Sequence, residues 1–255
     1  MDRRLRRRVI WGTVAVAALG ALGWGARWAT FARPPLQEAV AALASDDRVT
    51  VATDRWLTFT PNQAPADTGF IFYPGGRVDP RAYAGLMRTI AEAGYLVVVP
   101  SMPINMAIFN VNAANPIIAA NPDMNRWVIG GHSVGGTAAA LYVSAHPDRI
   151  AGLAIWSSFP AGNSDISNLD LPVILLYGGN ETGVTDESVG ARRHLLPRDT
   201  QYVRIEGGDH HQFGAYQLTS EDALATISRE AQHAQILSAT LNLLRTVAES
   251  PSVLE

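Results

Sequence analysis

The sequence predicts an α/β fold in which a mostly parallel, open sheet is flanked by helices. Three observations lead to this prediction: short apolar runs recur along the chain, helix-forming segments separate most of them, and glycine or proline stands at the junctions. Continuous apolar runs are typical of parallel strands that helices cover on both faces. At 255 residues, 47% of them hydrophobic, the chain can bury one sizeable core, and we expect one folded domain.

The individual elements follow from these runs and from the residues that end them. Asp79 and Pro80 form a typical helix start, and Gly94 ends the same helix just before an apolar strand. Strands are predicted over residues 49–51, 56–60, 69–73, 95–99, 126–130, 150–156, 173–177 and 201–205. Helices are predicted over residues 36–44, 79–93, 111–120, 137–145, 187–196 and 220–248.

The N-terminus combines an arginine cluster with an uncharged apolar run over residues 9–26, which Arg27 ends. As a helix this run would span about 27 Å, close to the hydrocarbon thickness of a bilayer. Because arginines stay on the cytoplasmic side, we expect a single-pass protein of the cell membrane with its domain on the extracytoplasmic side. The expected order is a basic cytoplasmic tip (1–8), a transmembrane signal anchor (9–28), a linker with a short helix (29–48) and the domain (49–250).

Two alternatives to the anchor stay open at this point. A cleaved signal peptide would give a secreted protein, although the apolar run is longer than usual for a signal and no convincing cleavage site follows it. The segment could also belong to a protein that is neither anchored nor exported. The sequence does not indicate the oligomeric state.

Composition excludes several classes of function. There are no cysteines, which excludes disulfides, thiolate catalysis and cysteine-ligated metals. The formal net charge is −3 although five arginines crowd the first eight residues, so the remainder of the chain is more acidic still. Binding to nucleic acid needs a cationic surface, and we therefore expect no nucleic-acid partner.

The most informative motif lies at residues 131–135, which read Gly-His-Ser-Val-Gly. The motif follows the predicted strand over 126–130 and precedes the predicted helix over 137–145. A serine on such a strand–turn–helix junction is a nucleophile elbow, and the sharp turn requires nearly absent side chains two positions before and after it. The sequence thus predicts that Ser133 is a catalytic nucleophile at a helix N-terminus, where developing negative charge is favoured.

A serine hydroxyl is a weak nucleophile and needs a histidine base oriented by a carboxylate. In parallel α/β sheets such partners come from loops at the carboxyl ends of strands. His210, in the glycine-rich loop after the last predicted strand, is the candidate base, with His211 as the alternative. Glu181, after the strand over 173–177, is the candidate acid, and Asp186 is its alternative.

The order Ser133, Glu181, His210 resembles that of the α/β-hydrolase superfamily, over roughly residues 50–248. More narrowly, the chain resembles the compact, cap-less, esterase-like serine hydrolases. Besides the elbow, the likeness depends on Pro-Gly-Gly at residues 74–76 after a central strand and on Gly-Gly-Asp-His-His-Gln-Phe-Gly at residues 207–214. Members usually carry Asp where this chain has Glu181, and Asn where it has Asp209.

The resemblance implies an oxyanion hole and a hydrolytic activity that needs no cofactor or metal. One oxyanion donor should be the backbone N–H of Val134, and the other that of Arg77 or Gly76. The expected reaction is hydrolysis of a small-molecule carboxylic ester through an acyl-enzyme. Thioesters, lactones and amides stay open as substrates, as does peroxidase or transferase chemistry on the same residues. The main alternative from another class is a catalytically silent hydrolase-fold binding module.

Two features bear on the substrate. Only residues 157–172 separate two predicted strands at the place where many relatives insert a helical cap, so we expect an open site. Apolar residues in the loop after the strand over 95–99 are candidates for an acyl or alkyl pocket. These candidate pocket residues are Met102, Ile104, Met106 and Phe109.

Overall fold

The computed structural model describes residues 3–63, 67–218 and 224–250, and within them eight strands form one sheet. The strands are β1 (Val49–Ala52), β2 (Leu57–Pro61), β3 (Thr68–Tyr73), β4 (Leu96–Val99), β5 (Arg126–His132), β6 (Gly152–Trp156), β7 (Val173–Gly178) and β8 (Gln201–Ile205). Their order across the sheet is β1-β2-β4-β3-β5-β6-β7-β8. Strand β2 is antiparallel to β1 and β4, and every other neighbouring pair is parallel. The predicted open, mostly parallel sheet is confirmed.

Helices cover both faces of this sheet, as the continuous apolar strands predict. The helices of the described chain are α1 (Arg3–Thr30), which packs on neither face of the sheet, and α2 (Gln37–Ala41), α3 (Ala84–Glu92), α4 (Ala114–Ala120), α5 (Val134–Ala145), α6 (Asp186–Gly190) and α7 (Arg229–Glu249). Along β3 the side chains alternate between two cores: Phe70 and Phe72 pack with residues of α3 and α7, whereas Ile71 and Tyr73 pack with residues of α4 and α5. Burial on both faces explains why the central strands lack polar alternation.

Several helices are shorter in the structure than in the prediction. Helix α7 starts at Arg229, where the Ser228 hydroxyl accepts a hydrogen bond from the Ala231 N–H. The predicted start at residue 220 lies outside the described residues. The segment predicted as a helix over 187–196 forms only the short α6 and a 3₁₀ turn over Arg193–Leu195, which Pro197 prevents from continuing.

The N-terminal helix α1 carries the predicted membrane segment. In the described part of the chain, no helix is both long enough and apolar enough to span a bilayer. The transmembrane signal anchor predicted over residues 9–28 is therefore not supported. The basic tip predicted over residues 1–8 lies outside the residues and side chains that the structure describes.

Candidate active site

The loops that follow five neighbouring strands meet at the carboxyl edge of the sheet. The loop after β3 carries Gly76, the turn after β5 carries Ser133, and the residue directly after β6 is Ser157. Glu181 follows β7, and His210 follows β8. A parallel sheet brings the carboxyl ends of all its strands to one edge, so residues that are far apart in sequence converge there.

Ser133 lies on the sharp turn that the motif predicts. Its φ is 55° and its ψ is −127°, a conformation that non-glycine residues rarely adopt. The turn leaves no space on either side: a Cβ on Gly131 would clash with the backbone of Gly135, and a Cβ on Gly135 would clash with the carbonyl oxygen of Tyr73. Both glycines are therefore required for Ser133 to stand above the sheet at the start of α5.

His210 is the histidine that reaches Ser133. Its Nε2 lies 3.2 Å from the Ser133 Oγ, within hydrogen-bonding reach. The buried Asp209 carboxylate holds the loop that carries His210, since it accepts backbone N–H groups from His211 and Gln212 on one oxygen. Its other oxygen accepts the N–H groups of residues 224 and 225. The carboxylate therefore fixes the loop backbone.

Glu181 is the carboxylate that reaches His210, and its side chain is fully buried. Its Oε2 lies 3.2 Å from the His210 Nδ1, while its Oε1 accepts the Gly178 N–H at 2.5 Å. The alternative acid, Asp186, instead accepts a 2.5 Å hydrogen bond from the Tyr177 hydroxyl and pairs with Arg204. Burial and this hydrogen bond raise the pKa of Tyr177 to about 12, so the phenol stays a donor.

Ser157 is a member of the site that the sequence prediction missed. Its Oγ lies 2.5 Å from the His210 Nδ1 and donates a hydrogen bond to the Glu181 Oε2. The buried hydroxyl thus lies between the imidazole and the carboxylate. It accepts a hydrogen bond from the protonated Nδ1 of His210 and donates one to Glu181. The available signal was positional: Ser157 directly follows a parallel strand, as Ser133 does.

His132 is a second buried histidine, and a hydrogen-bonded chain fixes its tautomer. The Tyr83 hydroxyl accepts the Gly75 N–H at 3.0 Å and lies 2.9 Å from the His132 Nδ1. The His132 Nε2 lies 3.0 Å from the His210 carbonyl oxygen, which can only accept, so Nε2 carries the proton and Nδ1 accepts from the phenol. Burial, and then the nearby His210, lower the pKa of His132 well below its ordinary value. A neutral His132 is thus bound to the His210 backbone and supports its position.

The candidate oxyanion hole is formed by the first turn of α5 and the loop after β3. In the part of the chain that the structure describes, the N–H groups of Val134 and Gly76 donate no protein hydrogen bond. The two residues are adjacent, because a Cβ placed on Gly76 would lie 3.0 Å from a Val134 methyl carbon. The Arg77 N–H donates to the Asn105 carbonyl at 2.7 Å and is therefore occupied. Of the two alternatives that the sequence offered for the second oxyanion donor, Gly76 fits the geometry.

A cleft of about 430 Å³ opens beside Ser133. Its walls carry the apolar side chains of Phe159, Val184 and Leu224, and the alternative base His211 lines it as well. Residues 157–172, all of them described, form turns and no helix, so this segment supplies no helical cap.

None of the four residues predicted to form a pocket in the loop after β4 lines this cleft. Met102 is buried in the core, and Met106 packs against Gly76. Ile104 and Phe109 are exposed. The loop that carries them folds into 3₁₀ turns, with Ile104 and Asn105 in left-handed conformations, and it packs against the oxyanion loop through Met106.

Comparisons with known proteins agree with this architecture. The sequence profile of the Alpha/beta hydrolase family matches residues 69–234. No curated protein sequence matches the chain significantly.

Several solved structures have a similar fold. Esterase Est2 from Thermogutta terrifontis, in a propionate-bound form, is 13% identical with a TM-score of 0.58, over 83% of this chain and 97% of that one. Est1E from Butyrivibrio proteoclasticus is 14% identical with a TM-score of 0.53, over 76% and 98%. A predicted CIB-like hydrolase from Thermoplasma acidophilum is 14% identical with a TM-score of 0.54, over 77% and 96%. At these identities the likeness establishes a shared fold.

Proposed function

Because the chain belongs to the α/β-hydrolase family, we propose that it is a serine hydrolase that cleaves carboxylic esters through an acyl-enzyme. The family supplies the fold, but a fold hosts many functions, so the argument depends on the site. The observation that carries the proposal is the 3.2 Å approach of the His210 Nε2 to the Ser133 Oγ, with a buried carboxylate behind the imidazole.

The arrangement supports a two-step reaction. Ser133 attacks the ester carbonyl while the His210 Nε2 takes its proton, and His210 then returns that proton to the leaving alcohol. Water cleaves the acyl-enzyme by the same route, with His210 again acting as the base. The N–H groups of Val134 and Gly76 would stabilise the oxyanion in both steps, since they are preorganised and carry no other protein partner in the described chain.

The buried side of His210 supports its role as a base. Glu181 and Ser157 both face Nδ1, so the neutral imidazole keeps its proton there and presents a lone pair on Nε2. When Nε2 accepts the serine proton, the Glu181 carboxylate stabilises the resulting imidazolium through a direct contact and through the Ser157 hydroxyl.

The cleft supports a small acyl or alkyl group as substrate. It is open, about 430 Å³ in volume, and apolar at Phe159, Val184 and Leu224. The propionate-bound and butyrate-bound forms of Est2 involve acids of this size, which favours short-chain esters as the first substrates to test.

The proposal predicts that the full chain hydrolyses aryl acetate and aryl butyrate with saturation kinetics, and aryl dodecanoate much more slowly. The butyranilide with the same aryl group serves as the amide control. Product analysis distinguishes hydrolysis from acyl transfer to an added alcohol. Folded protein that cleaves none of the esters above the spontaneous rate would contradict the proposal. That result would favour a catalytically silent binding module. The extracytoplasmic location expected from the N-terminal sequence stays a prediction.

A further inference from the structure

The segment between α1 and α2 connects two loops of the candidate active site. We name residues 31–36 the N-terminal strap. It forms a parallel bridge through Arg33 to Val78, in the loop after β3, and an antiparallel bridge through Pro35 to Tyr216, in the loop that follows His210. The strap therefore lies against both the oxyanion loop and the histidine loop, which come from separate strands.

At the oxyanion end, the strap holds the residue that follows Gly76. The Arg33 N–H donates to the Arg77 carbonyl at 2.7 Å, and the Asp79 N–H donates to the Arg33 carbonyl at 3.2 Å. The Arg77 N–H donates to the Asn105 carbonyl, so both backbone polar groups of Arg77 are bound. Arg77 has a φ of 58°, a conformation that a non-glycine residue keeps only when its surroundings impose it.

At the histidine end, the strap is fixed by two further backbone hydrogen bonds. The Leu36 N–H donates to the Ala215 carbonyl at 2.8 Å, and the Gln217 N–H donates to the Pro34 carbonyl at 3.0 Å. Two consecutive prolines, Pro34 and Pro35, restrict the backbone between the two ends. The strap is therefore a stiff connection with both ends bonded.

We propose that the N-terminal strap is a positioning element for the oxyanion hole, acting through the Arg33 to Arg77 hydrogen bond. This inference rests on the proposed function. By holding Arg77 in its left-handed conformation, the strap keeps the adjacent Gly76 N–H directed beside that of Val134. Oxyanion stabilisation depends steeply on donor position, because the donors must match the place where charge develops in the transition state.

The test uses proline to delete a single backbone donor. In the full chain, Arg33→Pro removes the N–H that bonds Arg77, whereas Arg33→Ala keeps that N–H and removes the side chain. We expect Arg33→Pro to lower kcat for aryl butyrate by about 10- to 100-fold with little change in KM, and Arg33→Ala to stay within about threefold of wild type. An alkyl trifluoromethyl ketone, which forms an oxyanion on the serine, should lose affinity by the same factor as kcat.

A second variant keeps the test decisive if Arg33→Pro does not fold. Leu36 has a φ of −74°, which proline adopts without strain, so Leu36→Pro removes the bond to Ala215 alone, with Leu36→Ala as its control. We expect kcat and ketone affinity to fall together in Leu36→Pro, because a strap released at its histidine end holds Arg33 less firmly against Arg77.

Proline variants with wild-type kcat and ketone affinity would overturn the proposal, and so would equal losses in the alanine controls. The ketone measurement does not require turnover. A wild-type protein that binds the ketone but cleaves no ester would contradict the proposed function, while the ratio between variants would still decide the role of the strap.

Discussion

Ser133→Ala is expected to lower kcat for ester hydrolysis by about 10⁴-fold or more. Without the hydroxyl no acyl-enzyme forms, and His210 can only assist a direct attack by water. The unfolding temperature should stay close to that of the wild type, because alanine adopts the same backbone conformation as readily as serine and the glycines around the turn are unchanged. The measurement is steady-state hydrolysis of aryl butyrate, with thermal unfolding of both proteins in parallel.

A matched control lies in the same cleft. Ser158 lines it but pairs with the Thr137 hydroxyl at 2.9 Å, and its hydroxyl makes no hydrogen bond to His210. Ser158→Ala should therefore change kcat by no more than a few-fold. Similar losses in both alanine variants would show that the assay reports damage to the cleft rather than loss of a nucleophile.

Glu181→Gln is the second variant with a large expected effect, a loss of about 10³- to 10⁴-fold in kcat. The Oε1 position accepts the Gly178 N–H, so the glutamine oxygen must occupy it and the amide NH₂ must face Ser157 and His210. A donor in that place favours the tautomer with its proton on Nε2, which cannot accept the proton of Ser133. The loss should appear in kcat more than in KM, measured on the same aryl butyrate.

Asp186→Asn provides the comparison for this variant. Asp186 contacts Tyr177 and Arg204 rather than His210, so its kcat should stay within about threefold of wild type. If Asp186→Asn lowered kcat more than Glu181→Gln, Asp186 rather than Glu181 would be the acid that orients His210.

The sheet and the sharp turn at Ser133 were predictable because their signals are local. The eight predicted strands are all present, and Gly131 is required because a Cβ there would clash with Gly135 within the same tight turn. His210 could be identified by its place in a glycine-rich loop after the last strand. For the strands and the turn, the sequence pattern and the physical requirement involve the same few residues.

Other features of the site depend on contacts that the sequence does not reveal. Ser157 is one serine among many, and its importance comes from a left-handed backbone, with φ of 47°, that turns its hydroxyl between Glu181 and His210. The choice between Gly76 and Arg77 depends on the Asn105 carbonyl, which reaches Arg77 only because Ile104 and Asn105 are also left-handed. Non-glycine residues in that conformation have no reliable sequence signature.

The N-terminal region shows the same limit. Its composition predicted an anchor and a linker, whereas the described structure supports no membrane span and places the predicted linker against two loops of the candidate active site. The backbone pairing of residues 33 and 35 with chain segments more than forty residues away could not be read from the local sequence. Expression of a shortened chain beginning inside the strap would therefore remove part of the site's support.

The central claim is that Ser133 is a nucleophile activated by His210. The most direct measurement is to treat the full chain with an alkyl fluorophosphonate and locate the adduct by mass spectrometry of its peptides. We predict one adduct per chain, on Ser133. The rate of its formation should fall sharply in Glu181→Gln and stay unchanged in Asp186→Asn. No adduct on folded wild-type protein, or an adduct on Ser157, Ser158 or His211 instead, would contradict the claim.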